Sequence, residues 1–129
     1  MSHRQPVTAP DAPKPAGPYS HAVRSGGLLF CSGQVPIDPG TGSLAEGSIG
    51  DQARQCLENL KTVCEAAGAQ LSDAVRMAIY VTDISTFAQV NEAYGAYFSS
   101  DPPARTTIGV SALPKGARVE MDAVIALPE

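Results

Sequence analysis

The stretch from Pro102 to Leu127 alternates so regularly that it leaves little choice but a pair of β-strands. Ala104, Thr106, Ile108 and Val110 alternate with Arg105, Thr107 and Gly109, and Val119, Met121, Ala123, Ile125 and Leu127 alternate with Glu120, Asp122, Val124 and Ala126. Strand side chains point to opposite faces with period two. Arg105 and Thr107 therefore share one face of the first run, and Glu120 and Asp122 share one face of the second. The connector SALPKGA carries Pro114 and Gly116, which are ordinary turn residues. Pairing the runs as a hairpin about Pro114 sets Thr107 opposite Met121, give or take about one residue. It also brings Arg105 close to Glu120 if their faces coincide. A cross-strand ion pair on a wet face satisfies the same pattern and is worth only about 0.2–1 kcal/mol.

The rest of the chain supplies partners for those strands. Ala22 to Ser25 and Leu28 to Ser32 read as short strands joined at Gly26-Gly27, a tight hairpin signal. Gly33 then permits a bulge or a close backbone approach, and Pro36 to Gly47 reads as loop. Ser48 is placed as an N-cap with Asp51 three residues on, and Gly68 as the stop. Between them Ile49, Ala53, Cys56, Leu57, Leu60, Val63, Cys64 and Ala67 form one apolar helical stripe, with Gln52, Arg54, Gln55, Glu58 and Lys61 on the wet side. Val75 to Thr82 alternates as a strand. A second helix is expected over Thr86 to Phe98, with Phe87, Val90, Tyr94, Tyr97 and Phe98 on its stripe and Asn91 set among them.

The predicted order is ββαβαββ in one domain over residues 1–129, an α+β fold with one mixed sheet and two helices on one face. Residues 1–16, rich in proline and polar groups, are expected to be a tail or an extended arm. Gly17-Pro18-Tyr19 closes that arm with a turn that presents a tyrosine. The uncovered sheet face is expected to hold Arg105, Thr107 and Glu120 beside apolar groups such as Val124. A half-polar face of that size is best buried between subunits of a closed homo-oligomer.

Charge narrows the function. The formal net charge is −4 and the sequence pI about 5.0, with nine Lys and Arg scattered along 129 residues. Binding to phosphate backbones calls for clustered cations, so no nucleic-acid partner is expected. Three cysteines without CxxC spacing read as reduced thiols, Cys56 and Cys64 as small core residues. With two histidines, His3 in the expected arm and His21, no metal site is expected. No apolar leader or membrane-length stretch is present, so a cytoplasmic location is expected.

Certain spellings carry more. Gly17-Pro18-Tyr19, Ser32-Gly33-Gln34-Val35-Pro36, Gln52-Ala53-Arg54, Val90-Asn91, Pro103-Ala104-Arg105 and Val119-Glu120-Met121 occur in this order. As an ordered set they resemble the RidA family, also called the YjgF or YER057c-type proteins, from Gly17 to Leu127. The resemblance implies a chorismate-mutase-like α+β fold and a homotrimer with three clefts between subunits. It implies hydrolysis of enamine and imine intermediates, such as 2-aminoacrylate and 2-aminocrotonate, to 2-keto acids and ammonia without a cofactor. It assigns catalysis to Arg105, Glu120 and Tyr19, and substrate binding to Arg105, Ser32, Gly33, Asn91 and Thr107. An arginine fork suits a substrate carboxylate in a way lysine does not, and a carboxylate such as Glu120 suits the activation of water.

Two positions depart from the family pattern. Thr107 stands where many members carry cysteine; a hydroxyl still hydrogen-bonds but gives no thiolate. Pro102 stands where an aromatic is often found, which alters the pocket wall. The competing readings are an endoribonuclease, disfavoured by the acidic balance, a non-catalytic keto-acid-binding or chaperone-like trimer, and a specialised deaminase of the same fold.

Overall fold

The computed structural model describes residues 3–129. One six-stranded sheet carries two helices on a single face. In chain order the elements are β1 (Arg4–Val7), β2 (Ala22–Ser25), β3 (Leu28–Gln34), α1 (Ile49–Ala66), β4 (Ala74–Val81), α2 (Phe87–Gly95), β5 (Ala104–Gly109) and β6 (Val119–Ala126). Across the sheet they run β1-β2-β3-β6-β4-β5. This is the mixed-sheet α+β architecture expected from the sequence, with one strand more. Every contact along the sheet is antiparallel except β4 with β5.

The added strand is β1, in the segment read as a tail. It pairs with β2, Gln5 opposite Arg24 and Pro6 opposite Val23. Its RQPV sequence shows no apolar alternation because only Val7 is buried, and a proline is tolerated there because the strand is at the edge. Beyond it Ala9 and Ala12 are buried in the core. The chain then turns through Tyr19 into β2. In the β2–β3 turn only Gly26 takes a positive φ, +61°.

The end signals of α1 act as read. Ser48 Oγ accepts from the Asp51 amide at 3.1 Å, and Asp51 Oδ2 accepts from the Ser48 amide at 3.0 Å. Gly68, at φ +74°, takes the left-handed turn that ends the helix, and Arg24 of β2 donates to the carbonyl of Ala67. The stripe of α1 packs on Leu29, Met77, Ile79, Val119, Met121, Ala123 and Ile125, all buried. Cys56 and Cys64 lie in this core. α2 is shorter than expected, ending at Gly95 after a one-turn 3-10 entry over Ile84–Thr86.

The expected β5–β6 hairpin does not form. β6 inserts between β3 and β4, and β5 joins the far side of β4 in parallel. Thr107 faces Ile79, whereas Met121 faces both Ile79 and Gln34. The physical reason is the burial demand of β4. Its Met77, Ile79 and Val81 are fully buried beneath the helices and Ala78 is buried as well, and so continuous a buried run belongs inside the sheet, flanked on both sides. β5, with an exposed face of Ala104, Thr106 and Ile108, takes the edge. Residues 110–118 are long enough to step over one strand.

Candidate active site

Four of the candidate residues line one cavity. It has a volume of about 310 Å³ and is walled by Tyr19, His21, Ser32, Gly33, Lys115 and Glu120, with the 13–16 segment closing one side. A larger groove nearby, about 710 Å³ between the 10–16 segment and the 37–42 loop, contains none of the candidates. The smaller cavity exists because β3 is irregular where it meets β6. Cys31 pairs with Ala123 and Gln34 with Met121, so Ser32 and Gly33 together stand opposite Asp122. A bulge of this kind re-aims side chains locally.

The glycine in that bulge is required by its neighbour. A Cβ at position 33 would lie 2.1 Å from Glu120 Oε2 and 3.0 Å from Glu120 Cδ. The carboxylate thus rests directly on the Gly33 backbone. Burial, and then the nearby Asp122 carboxylate, raise Glu120 above the usual carboxylate range. Asp122 itself accepts a hydrogen bond from Tyr80 at 2.8 Å. The Ser32 hydroxyl donates to the Ser20 carbonyl at 2.6 Å, leaving its lone pairs to accept. The Tyr19 hydroxyl accepts from the Ala16 amide at 3.0 Å and keeps its own proton to donate.

The remaining candidates gather elsewhere. Arg105 and Thr107 of β5 align with Met77 and Ile79 of β4, on the helix-covered side of the sheet. The Arg105 guanidinium sits 4.8 Å from the Tyr94 ring centroid and 5.4 Å from that of Phe87, both on α2. Asn91 lies on the same helix, between these two aromatics. Asn91 Oδ1, Tyr94 Oη and Thr107 Oγ1 are buried and have no hydrogen-bond partner. Native interiors leave few such atoms. Here three such atoms lie on α2 and β5, the two elements that also carry Arg105 and its aromatic neighbours.

The two clusters cannot meet within one chain. Glu120 aligns with Tyr80, and Tyr80 with Ile108, on the uncovered face; Arg105 aligns with Met77 on the other. β4 also separates β5 from β6. This corrects the expectation that Arg105, Thr107 and Glu120 share the open face. The alternation of each strand was sound, but the relative phase of two strands depends on the strand between them. The open face, with Phe30 and Ile108 nearly half exposed, does carry the half-polar, half-apolar character expected of it.

The Endoribonuclease L-PSP family model, which describes the RidA or YjgF proteins, matches residues 9–127. The chain belongs to the RidA family. A RutC family protein of Pyrococcus horikoshii is 46% identical over 121 residues, which span 94% of this chain and 96% of the relative. A protein of Dermatophagoides farinae named 2-iminobutanoate/2-iminopropanoate deaminase is 39% identical over 127 residues, 98% of this chain and 99% of its own. The crystal structure of RidA from an Antarctic Psychrobacter superposes with a TM-score of 0.91 at 42% identity, covering 95% of this chain and 99% of the other.

Within this RidA chain, the residues that steady the cavity were harder to read from sequence than those that line it. His21 is buried and ties down the arm: its Nδ1 accepts from the Ala9 amide at 3.0 Å and its Nε2 donates to the Pro13 carbonyl at 2.8 Å. Asn59 of α1 is 1% exposed; its Nδ2 donates to the carbonyls of Val35, at 3.3 Å, and Ile37, at 2.9 Å, and its Oδ1 accepts from Gln55. Gln52, placed on the wet side of α1, is buried as well and donates to the Ala45 carbonyl. The signal for Asn59 was present, since it falls three residues after Cys56 and four before Val63 on the apolar stripe. Among the described residues no group of His, Cys, Asp and Glu could hold a metal ion, and no helix is long and apolar enough to cross a membrane.

Proposed function

We propose that this chain hydrolyses 2-imino acids, the tautomers of enamines such as 2-aminoacrylate and 2-aminocrotonate, to 2-keto acids and ammonia. It does so in the cytoplasm, in clefts between the subunits of a homotrimer. The observation that carries the reading is the cavity that joins Glu120, Gly33, Ser32 and Tyr19 while Arg105 stands on the opposite sheet face. A second copy that brings its β5 edge to the cavity joins an arginine fork to a half-buried carboxylate. The name of the Dermatophagoides farinae relative supports the same chemistry.

In this scheme Arg105 of one subunit grips the substrate carboxylate in a bidentate pair, and Thr107 and Asn91 complete its hydrogen bonds. The imine carbon then faces the Glu120 of the neighbouring subunit. Glu120, raised by burial and Asp122, takes a proton from water as the oxygen adds to that carbon. The C=N bond becomes a single bond and the tetrahedral carbon carries both hydroxyl and amine. Glu120 passes that proton to the nitrogen to make the amine, then takes the hydroxyl proton and delivers it to the amine, directly or relayed through the Tyr19 hydroxyl, so that the C–N bond breaks, ammonia leaves and the carbonyl forms. Water is the only co-substrate. Fixing carboxylate, carbon and water in line supplies much of the acceleration.

The test is a coupled assay in which a serine or threonine dehydratase generates the enamine in place and early keto-acid release is followed. The expected result is faster release with the wild-type protein and none with Arg105→Ala or Glu120→Gln. Release unchanged by the wild-type protein, with a 2-keto acid still bound, would transfer the site to a non-catalytic sensor.

A further inference from the structure

Arg105 is the reactive-looking group of its cluster, yet among the described residues no carboxylate or carbonyl holds it. Two rings do. Tyr94 is the nearer, at 4.8 Å, and the more firmly set: it is 5% exposed and packs against Phe98 with centroids 4.7 Å apart. Phe87, at 5.4 Å, is 39% exposed. An arginine stacked on an aromatic presents its plane to the ring and keeps its rim of N–H donors clear for an anion. An arginine on a sheet edge without such support has several rotors to fix each time it binds.

We infer that Tyr94 is the positioning residue of the carboxylate clamp, its ring holding the Arg105 fork in the plane that a 2-keto or 2-imino acid carboxylate meets. The inference rests on the clamp reading above and goes beyond it, because Tyr94 acts through Arg105 and not on the substrate. The Tyr94 hydroxyl is buried and unpartnered, so ring and hydroxyl must be tested separately. Tyr94→Phe keeps the ring and Tyr94→Leu removes it.

The experiment is calorimetric binding of 2-oxobutanoate to the intact oligomer, together with KM and kcat in the coupled assay. Tyr94→Leu should raise Kd and KM about tenfold with kcat changed by less than about threefold. Tyr94→Phe should stay within about twofold of wild type on all three. In an Arg105→Ala background, Tyr94→Leu should add less than about a further twofold, since what it positions is already gone. A Tyr94→Leu loss that persists in full without Arg105, or a Tyr94→Phe loss as large as that of Tyr94→Leu, overturns the inference. If Arg105→Ala weakens binding but Tyr94→Leu does not, this inference fails and the clamp stands; if Arg105→Ala binds like wild type, the clamp itself falls. Should Tyr94→Leu not fold, Tyr94→Met is read by the same criteria.

Discussion

The opposed placement of Arg105 and Glu120 makes a quantitative prediction about mixed oligomers. Two strand spacings separate the axes of β5 and β6, about 10 Å, and the two side chains leave the sheet in opposite directions. Arg105→Ala and Glu120→Ala should each be nearly inactive alone; loss of a charge-assisted bidentate pair costs about 2–3 kcal/mol, roughly 30- to 150-fold. When the two variants are mixed and allowed to exchange subunits, a seam works if its Arg105 side is intact and its Glu120 side is intact. Each condition holds for about half the subunits in an equal mixture, so about a quarter of wild-type activity should return. The assay is keto-acid release after brief denaturation and joint refolding, with each variant refolded alone as control. A mixture no more active than its parts would refute the two-subunit site.

Other consequences are nearer to single residues. Gly33→Ala should displace the Glu120 carboxylate, whose Oε2 a Cβ would approach to 2.1 Å; kcat should fall by roughly tenfold or more, about 1.4 kcal/mol of barrier, while the thermal midpoint changes little because only a side-chain tip must move. Since burial and Asp122 raise Glu120, its basic form is lost as pH falls through a value above the ordinary carboxylate range; Asp122→Asn should shift the acid limb of kcat to lower pH. The same upward shift gives stability that is present below the unfolded-state value and lost as pH rises through the folded one, so the thermal midpoint of Glu120→Gln should gain on wild type as pH rises above the ordinary carboxylate range. Asn59→Ala leaves the Val35 and Ile37 carbonyls without their donor and should cost about 2–4 kcal/mol in denaturant unfolding.

What the sequence disclosed and what it withheld follow a physical line. Local signals were sufficient where the structure is locally determined. Ser48 with Asp51 began α1, Gly68 ended it, and the stripe from Ile49 to Ala67 faces the sheet. Alternation placed β5 and β6 on their residues but not beside one another. Strand partners are chosen by the burial needs of a third element, here β4, which no pattern within β5 or β6 records. β1 escaped because an edge strand with one buried residue has nothing to alternate. For the candidate site, spelling found Tyr19, Ser32, Gly33 and Glu120, which the fold does bring to one cavity. The grouping of Arg105 with Glu120 failed because facing depends on sheet order. Tyr94 and Phe87 were legible only as helix stripe; that they flank an arginine depends on where β5 docks.

The two margins of the sheet are chemically unlike. On β1, Pro6 lacks an N–H, and a proline in an edge strand turns that deficiency outward. On β5, the run Ala104 to Gly109 has no proline and a full set of main-chain donors and acceptors. A ribbon that is to lengthen without limit needs both margins open, so that each added chain offers a new template. Here one margin is stopped, and Arg105 and Thr107 occupy the other. Chains of this kind are steered away from fibres, and a truncation that removed β1 would expose β2 as a second open margin and lift that restraint.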